Sequence, residues 1–500
     1  MADLPISGLP ELTAITSNAE FVVEESGTTY KVKNSNLSTN TNGSPTYTVA
    51  ASNSPITLKN RADYICDGVA DESEINTALS LGNVQLVEGT YNISITGIQI
   101  GANRTFMGVG NSTILLASGY TNSSKMITNT GFSGITISSL QIDGASKSMG
   151  YGIYFETVGS GSGTTAEMGC FIDNVYIKDV YQSAIELRSC RNSIITNSVF
   201  DNPSFDGVVL KKKVGETNGC MYININNNIF NNNTAGIWCQ FASYCNFNDN
   251  IFEGDLTNVA GQESVQLEAN TAYITIDGNT FRNSGESHFW ANDTVSHIII
   301  SNNTFSKSVF DGIWSSANYV TITGNDIELS GLNGIYLEGN LNVITNNRIT
   351  SSNTTNSTYN GIAYISGNDS VISNNVFFKG DGPNYPLYGI RIYSGVARAL
   401  VTDNQLYSAG ISGDTLNASS STKFSNNISF TGGWMTVSAT TSQFVMNTNK
   451  ILGRSSDGIG SLQELSIGDG LSLSSGGTLS SSFTGGTSGT SGSSGTSGSS

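Results

Sequence analysis

The chain has 500 residues, 56 of them Gly and only 7 Pro, and its charged fraction of 12% is about half the ~25% usual in globular proteins. Hydrophobic residues at 37%, with 20 Tyr and 21 Phe, supply a core and exclude a disordered chain. The net charge of −17 argues against nucleic acid as a partner, and no apolar run nears the ~20 residues of a membrane span.

In chain order, residues 1–40 form a short first module and 41–58 a Ser/Thr/Asn-rich linker. The opening MADLPISGLPELTAI has neither a basic region nor an apolar stretch, so no secretory signal is expected. Residues 59–100 read as an entry segment that caps the repeat region. Ser73 is placed to cap a short helix through Ser80, with Asn76 where a capping box carries Glu or Gln, and a strand runs from Val84 towards Gly89, Thr90 and Tyr91.

From about 135 to 430 one unit recurs every 22 to 30 residues, and such a period outranks any local reading. Its first half is Ile-x-x-Asn-x-Phe, as in Ile276 to Phe281 and Ile300 to Phe305. Its second half is Gly followed by alternating residues, as in Gly236-Ile237-Trp238-Cys239 and Gly334-Ile335-Tyr336-Leu337. Such alternation means short strands with one buried face. Gly and Asn at fixed offsets mark corners with left-handed backbone. A unit this small must stack on its neighbours to bury its apolar side. No 3.6 period runs through the repeats and Leu is not the repeating residue, which excludes helical and leucine-rich solenoids. A parallel β-helix of about eleven coils remains, with coils ~4.8 Å apart. Its Asn runs, Asn226–Asn228 and Asn231–Asn233, are expected to form amide ladders.

Residues 431–482 form a C-terminal module. In the tail, 483–500, Gly486, Gly489, Gly492, Gly495 and Gly498 fall at every third position. A flexible Gly/Ser tail and a collagen-like stalk that favours a homotrimer both fit this spacing. The six Cys show no C-x-x-C spacing and there are two His, so free thiols are expected and neither a metal nor another cofactor.

Aligning the second-half strands produces three rows. The first outward row carries Glu186, Val209, Trp238, Gln266, Trp290, Trp314, Tyr336, Ala363 and Arg391, which puts three of the four Trp of the chain in one register. Rings at coil intervals suit the apolar faces of successive sugars. Packing against a loop or a neighbouring subunit would also account for them. The second row holds Arg188, Lys211, Glu268 and Glu338, groups that bind hydroxyls or acidic sugars or serve as ordinary surface charge. The third row, with Asp206, Glu263 and Asp311, reads as turn formers. Lys211-Lys212-Lys213 reads as a solvated edge. For hydrolysis, two carboxyls about 5–9.5 Å apart are required. Glu268 with Asp293 is the preferred pair, with Glu268 as the acid desolvated by its Trp neighbours, and Glu263 with Asp311 competes. Solvated surface carboxylates are the plain alternative for all four.

The stretch Asp67-Gly68-Val69-Ala70-Asp71-Glu72, its short helix and the repeats after it resemble the pectate-lyase-like β-helix superfamily over roughly 60–430. The resemblance implies an all-β fold: a single-stranded right-handed parallel β-helix with small flanking β modules. It implies no single chemistry, because the superfamily spans lyases, hydrolases, epimerases and non-enzymes. The G-H-G and R-I-K motifs of polygalacturonase-like members are missing, and Arg391-Ile392-Tyr393 is the nearest approach. Residues 14–32 and 450–479 resemble modules of bacteriophage tail and fibre proteins. That resemblance implies a virion location, contact with other tail or baseplate proteins through the first module, and a host surface polysaccharide as ligand. Two readings result, a receptor-binding or purely structural fibre and a polysaccharide depolymerase.

Overall fold

A computed structural model describes residues 44–159, 168–256, 263–354, 358–380 and 385–429, with short strand segments at 20–25, 28–33, 436–437, 450–453, 463–466, 471–473 and 479–481. The chain divides into two compact units, residues 1–436 and 437–500. In the second, Lys450–Gly453 pairs antiparallel with Gln463–Ser466, and Leu471–Leu473 with Leu479–Ser481. The Gly-every-third-residue tail lies outside the described residues. Of the first module only the antiparallel hairpin Glu20–Glu25/Thr28–Lys33 is described.

The first unit is a right-handed parallel β-solenoid of about twelve turns. A coil carries up to three strands, seen in Ala272–Asp277, Thr280–Ser284 and Phe289–Ala291. Each pairs in register with its counterpart one coil on: Ile276 with Ile300, Phe281 with Phe305, Phe289 with Ile313. The third face builds a sheet of thirteen strands. Alternation sends Ile276, Phe281, Phe289 and their equivalents inward, where they are buried. Stacked Phe230, Phe252, Phe281 and Phe305, with centroids 4.6–4.7 Å apart, fill the centre.

The Asn of Ile-x-x-Asn-x-Phe turns the corner between the first two faces. Asn228, Asn250, Asn279, Asn303, Asn325, Asn347, Asn375, Asn404 and Asn427 form one unbroken ladder, each Nδ2 donating to the next Oδ1 at 2.8–3.1 Å. The ladder thus extends far beyond the Asn runs that suggested it, and it supplies donors and acceptors that a buried corner would otherwise lack.

Three readings at the N-terminal end are corrected. The solenoid begins inside the stretch read as linker: Thr46–Ala50 pairs in parallel with Tyr64–Ile65 and Asn83–Leu86, and a short helix α1 spans Ile56–Lys59. Val49 and Ala50 are both buried there, in a strand that the Ser/Thr/Asn composition hid. The capping helix α2 spans Glu72–Leu81, with Asp71 rather than Ser73 at its N-cap. Asp71 accepts from the Gly68 and Asn92 amides, so its side chain ties the preceding loop to a strand. Asn76 fills no capping box: it donates to Gly97 O and accepts from Gln99 N, fastening α2 to the solenoid. All six Cys are free and buried.

Candidate functional site

The thirteen-strand face presents the first outward row as one register. Tyr154 pairs with Glu186, and the row continues through Val209, Trp238, Gln266, Trp290, Trp314, Tyr336 and Ala363 to Arg391. Flanking residues point inward, as Ile237 and Cys239 do around Trp238, so alternation puts the row on the outer side of the sheet. Tyr154, Glu186, Val209 and Ala363 are nevertheless buried, and an open run of the row extends from Trp238 to Tyr336. The three tryptophans of the row are half-buried.

The rings meet one another. Trp290 stacks on Trp314 at 5.2 Å and 8°, and Trp314 on Tyr336 at 5.7 Å and 9°. With planes about 3.5 Å apart the offset is about 4 Å, so the rings overlap like roof tiles and each leaves only part of its face open. Trp238 stands apart from this stack: Lys211 Nζ lies 4.0 Å from its ring centroid, and its buried Nε1 has no partner among the described residues.

The second row braces the first by a recurring device. An outward residue hydrogen-bonds a carboxylate two positions on in its own strand: Tyr154 to Glu156 at 2.7 Å, Gln266 to Glu268 at 2.7 Å, Tyr336 to Glu338 at 2.9 Å. Arg188 reverses the order, pairing with Glu186. Gln240 donates to the other oxygen of Glu268 at 3.0 Å, so both oxygens of that side chain accept amide hydrogens. Such a carboxylate is held as an acceptor, and this arrangement suits hydroxyl binding better than proton donation. Asp293 lies exposed on the turn after Phe289–Ala291.

The lysine run is no solvated edge. Lys211 covers Trp238, Lys212 lies 4.4 Å from the Phe241 ring, and Lys213 pairs with Glu156 at 3.2 Å. Cations approach these rings because the face of an aromatic is electronegative. Lys125, 3.4 Å from the Tyr154 ring, extends the basic end of the face. Lys125 escaped the sequence reading because its strand, Lys125–Thr130, lacks the Gly-Ile-x-x pattern, whereas Tyr154, in Gly152-Ile153-Tyr154-Phe155, fits the pattern and belongs to the row.

The third row is buried rather than solvated, which corrects the turn-former reading. Burial pushes Asp206 up to about 7, against Lys211 and the Ala235 amide, which lower it. Asp311 is pushed up to about 6 by burial, although the Asn333 side chain and backbone amide both donate to it at 2.8 Å. Glu263 rises to about 8, first through burial and then through a hydrogen bond and charge repulsion with Glu286. Burial therefore lifts all three carboxyls along one edge of the face above the usual carboxylate range, Glu263 most and Asp311 least. Glu286, the partner one coil away, sits in a corner that alternation does not reach. His288, behind this row, is fully buried against Ser306 O at 3.1 Å, and burial lowers it to about 3.

The family model described as the right handed beta helix region matches residues 151–327 and again 263–429, together more than half of the sequence. The chain belongs to the right-handed β-helix family. No curated protein matches it. Among solved structures this β-helix is similar to the Azotobacter vinelandii mannuronan C-5 epimerase AlgE6 A-module, with TM-score 0.52 and 15% identity over 73% of this chain and 97% of that one. It is also similar to bacteriophage CBA120 tailspike protein 3, with TM-score 0.49 and 12% identity over 74% and 60% of the two chains. For PfbA, a surface adhesin of Streptococcus pneumoniae, the values are 0.47 and 15% over 74% and 91%. At these identities the likeness is one of fold alone. Among the described residues of the β-helix no helix is long and apolar enough to cross a membrane.

Proposed function

We propose that this β-helix is a bacteriophage tail fibre or tailspike-type protein that holds a host surface polysaccharide along its thirteen-strand face. The observation that carries the reading is the continuous outward stripe. Stacked half-open rings at Trp290, Trp314 and Tyr336 stand beside acceptors at Glu268 and Glu338, with cations at Arg188 and Lys211 near one end. A sugar chain offers what this stripe complements, an apolar C–H face ringed by hydroxyls. The virion setting, the N-terminal contact with tail proteins and a homotrimer belong to the same proposal and rest on the flanking sequence. The test is retention of the protein on immobilised host capsule or lipopolysaccharide, with Trp314→Ala as the variant expected to lose retention.

A second reading is favoured by the carboxyls that burial lifts above the usual range. In a depolymerase one of them donates to the leaving oxygen while an ionised carboxylate activates water or attacks. Glu263 and Asp311 fit the donor role by environment, a role that the sequence alone assigns to Glu268, whose two oxygens instead accept amide hydrogens; Asp293 keeps the role of base or nucleophile. New reducing ends on host glycan, lost in Glu263→Gln, would support it; wild-type protein that releases none leaves the fibre reading alone.

A further inference from the structure

Outside the thirteen-strand face, the strands of the first face begin with a second aromatic row. Tyr222, Tyr244, Tyr273, His297 and Tyr319 occupy equivalent positions on five successive coils and stack at 5.4, 4.8, 4.5 and 4.6 Å, with planes within 24° of one another. The four tyrosines are 44–49% exposed. Their hydroxyls have no partner among the described residues.

The backbone there is expensive for such residues. All five sit in the left-handed region, at φ of 56–58°, where bulky side chains are outliers. At the asparagine corner the same solenoid meets the same demand with Asn197, Asn227, Asn302, Asn346 and Asn374, residues that tolerate it. Rings thus stand at left-handed positions of the kind that asparagine occupies elsewhere in the solenoid, and the tyrosines among them stand half in solvent.

At the C-terminal end of the stack a groove of about 490 Å³ opens, lined by Asn318, Tyr319, Asn340, Leu341, Asn368 and Asp369. Asn368 donates to Asn340, and Asn340 to Asn318, at 3.0 and 2.8 Å, which leaves the Asn368 carbonyl oxygen and the Asn318 amide nitrogen unfilled at the two ends. Arg398 holds Asp369 through two bonds of 2.7 Å, so the carboxylate is fixed and the groove carries no free cation among its lining residues. One ring, a leucine, a short run of amides and an oriented carboxylate form a set that recognises a neutral sugar: an apolar surface beside donors and acceptors at hydroxyl spacing.

We infer that the tyrosine row and its terminal groove form a second saccharide subsite, which takes neutral sugar units and is separate from the tryptophan face. The inference does not require that the tryptophan face bind glycan.

The test uses the full chain on an array of immobilised bacterial capsular and O-antigen polysaccharides. Tyr273→Asn and Tyr319→Asn keep a residue that tolerates the left-handed backbone, so the fold should survive, as a melting curve checks. Tyr319→Asn, whose ring is stacked on one side only and lines the groove, is expected to weaken binding to the glycan that wild type retains best by about tenfold, which corresponds to ~1.4 kcal/mol, and Tyr273→Asn, stacked on both sides, by less. Trp314→Ala is measured in parallel. If it weakens binding and the tyrosine variants do not, the second subsite is refuted and the first reading stands; the reverse refutes the first and supports the second. A lowered melting temperature with unchanged binding shows a structural spine, and a changed mass in light scattering shows a subunit contact; either overturns the inference. No array glycan retained by wild type counts against both sites.

Discussion

Asn303→Ala probes the ladder at its middle. Its Nδ2 donates to Asn325 Oδ1 at 3.0 Å and to Ile276 O at 2.9 Å, while its Oδ1 accepts from Asn279 Nδ2 at 2.9 Å and Asn279 N at 2.8 Å. Truncation leaves the Asn279 amide hydrogen buried without an acceptor, at about 1–3 kcal/mol, and removes three more bonds worth about 0.5–1.5 kcal/mol each. Since neighbours in one network do not add fully, the expected loss is about 3–6 kcal/mol. Asn427→Ala, at the partly buried end of the ladder where water can substitute, should cost about 1 kcal/mol. Asn303→Asp keeps the acceptor for Asn279 but aims its other oxygen at two acceptors, Ile276 O and Asn325 Oδ1. Burial then raises its folded pKa above the unfolded ~3.9, so its stability is present below that pH and is lost as pH rises. Urea unfolding followed by circular dichroism supplies the measurement. A loss under ~1 kcal/mol for Asn303→Ala, or equal midpoints at pH 4 and pH 8 for Asn303→Asp, would refute the reasoning.

Trp314→Ala should lose its two ring contacts, about 1–3 kcal/mol together, whereas Phe281→Ala in the core should lose about 3–5 kcal/mol; the opposite order in urea midpoints would mean that the outer row supports the fold more than the core does. Burial raises Asp206, Glu263 and Asp311 above their unfolded values, so the stability they contribute is full below about pH 4 and falls as pH rises through about 6, 7 and 8. Melting temperature should therefore drop between pH 5 and pH 9 in wild type, and the drop should shrink in the triple variant Asp206→Asn, Glu263→Gln, Asp311→Asn. Light scattering of the full chain with its natural C-terminus should give three times the chain mass, and a monomer mass would remove the trimer from the proposal.

The coils were legible because the demand on each position repeats. Ile276, Phe281 and Phe289 must point inward, Asn279 must turn a buried corner, and a coil that failed either would not stack. The same register placed Trp238, Trp290, Trp314 and Tyr336 on one row, since a slip of one residue would have exchanged them with Ile237, Phe289, Ile313 and Ile335. Alternation states only the side of a strand, however, and stacking between rings on adjacent coils depends on rotamers. The burial of Glu263 and Asp311 was hidden for a related reason: acids before a Gly look like turn formers, and only the closing of neighbouring coils around them removes water. The tyrosine row had a signal that went unused. Tyr222, Tyr244, Tyr273, His297 and Tyr319 each precede an inward residue, Ile223, Cys245, Ile274, Ile298 and Val320, at one offset in every repeat.

The asparagine ladder fixes where the solenoid tolerates added sequence. Successive ladder residues are as few as 22 and as many as 29 positions apart, yet no rung is missing. In the three longest coils the surplus falls between the second and third faces, from Glu253 to Glu263, Thr350 to Ile362 and Phe378 to Tyr388. Those connections lead directly into strands of the thirteen-strand face. Insertions and deletions at this margin can change what borders the aromatic stripe while the amide corner keeps every coil in step, so a lineage can vary its recognition surface by loop length without redesigning its core.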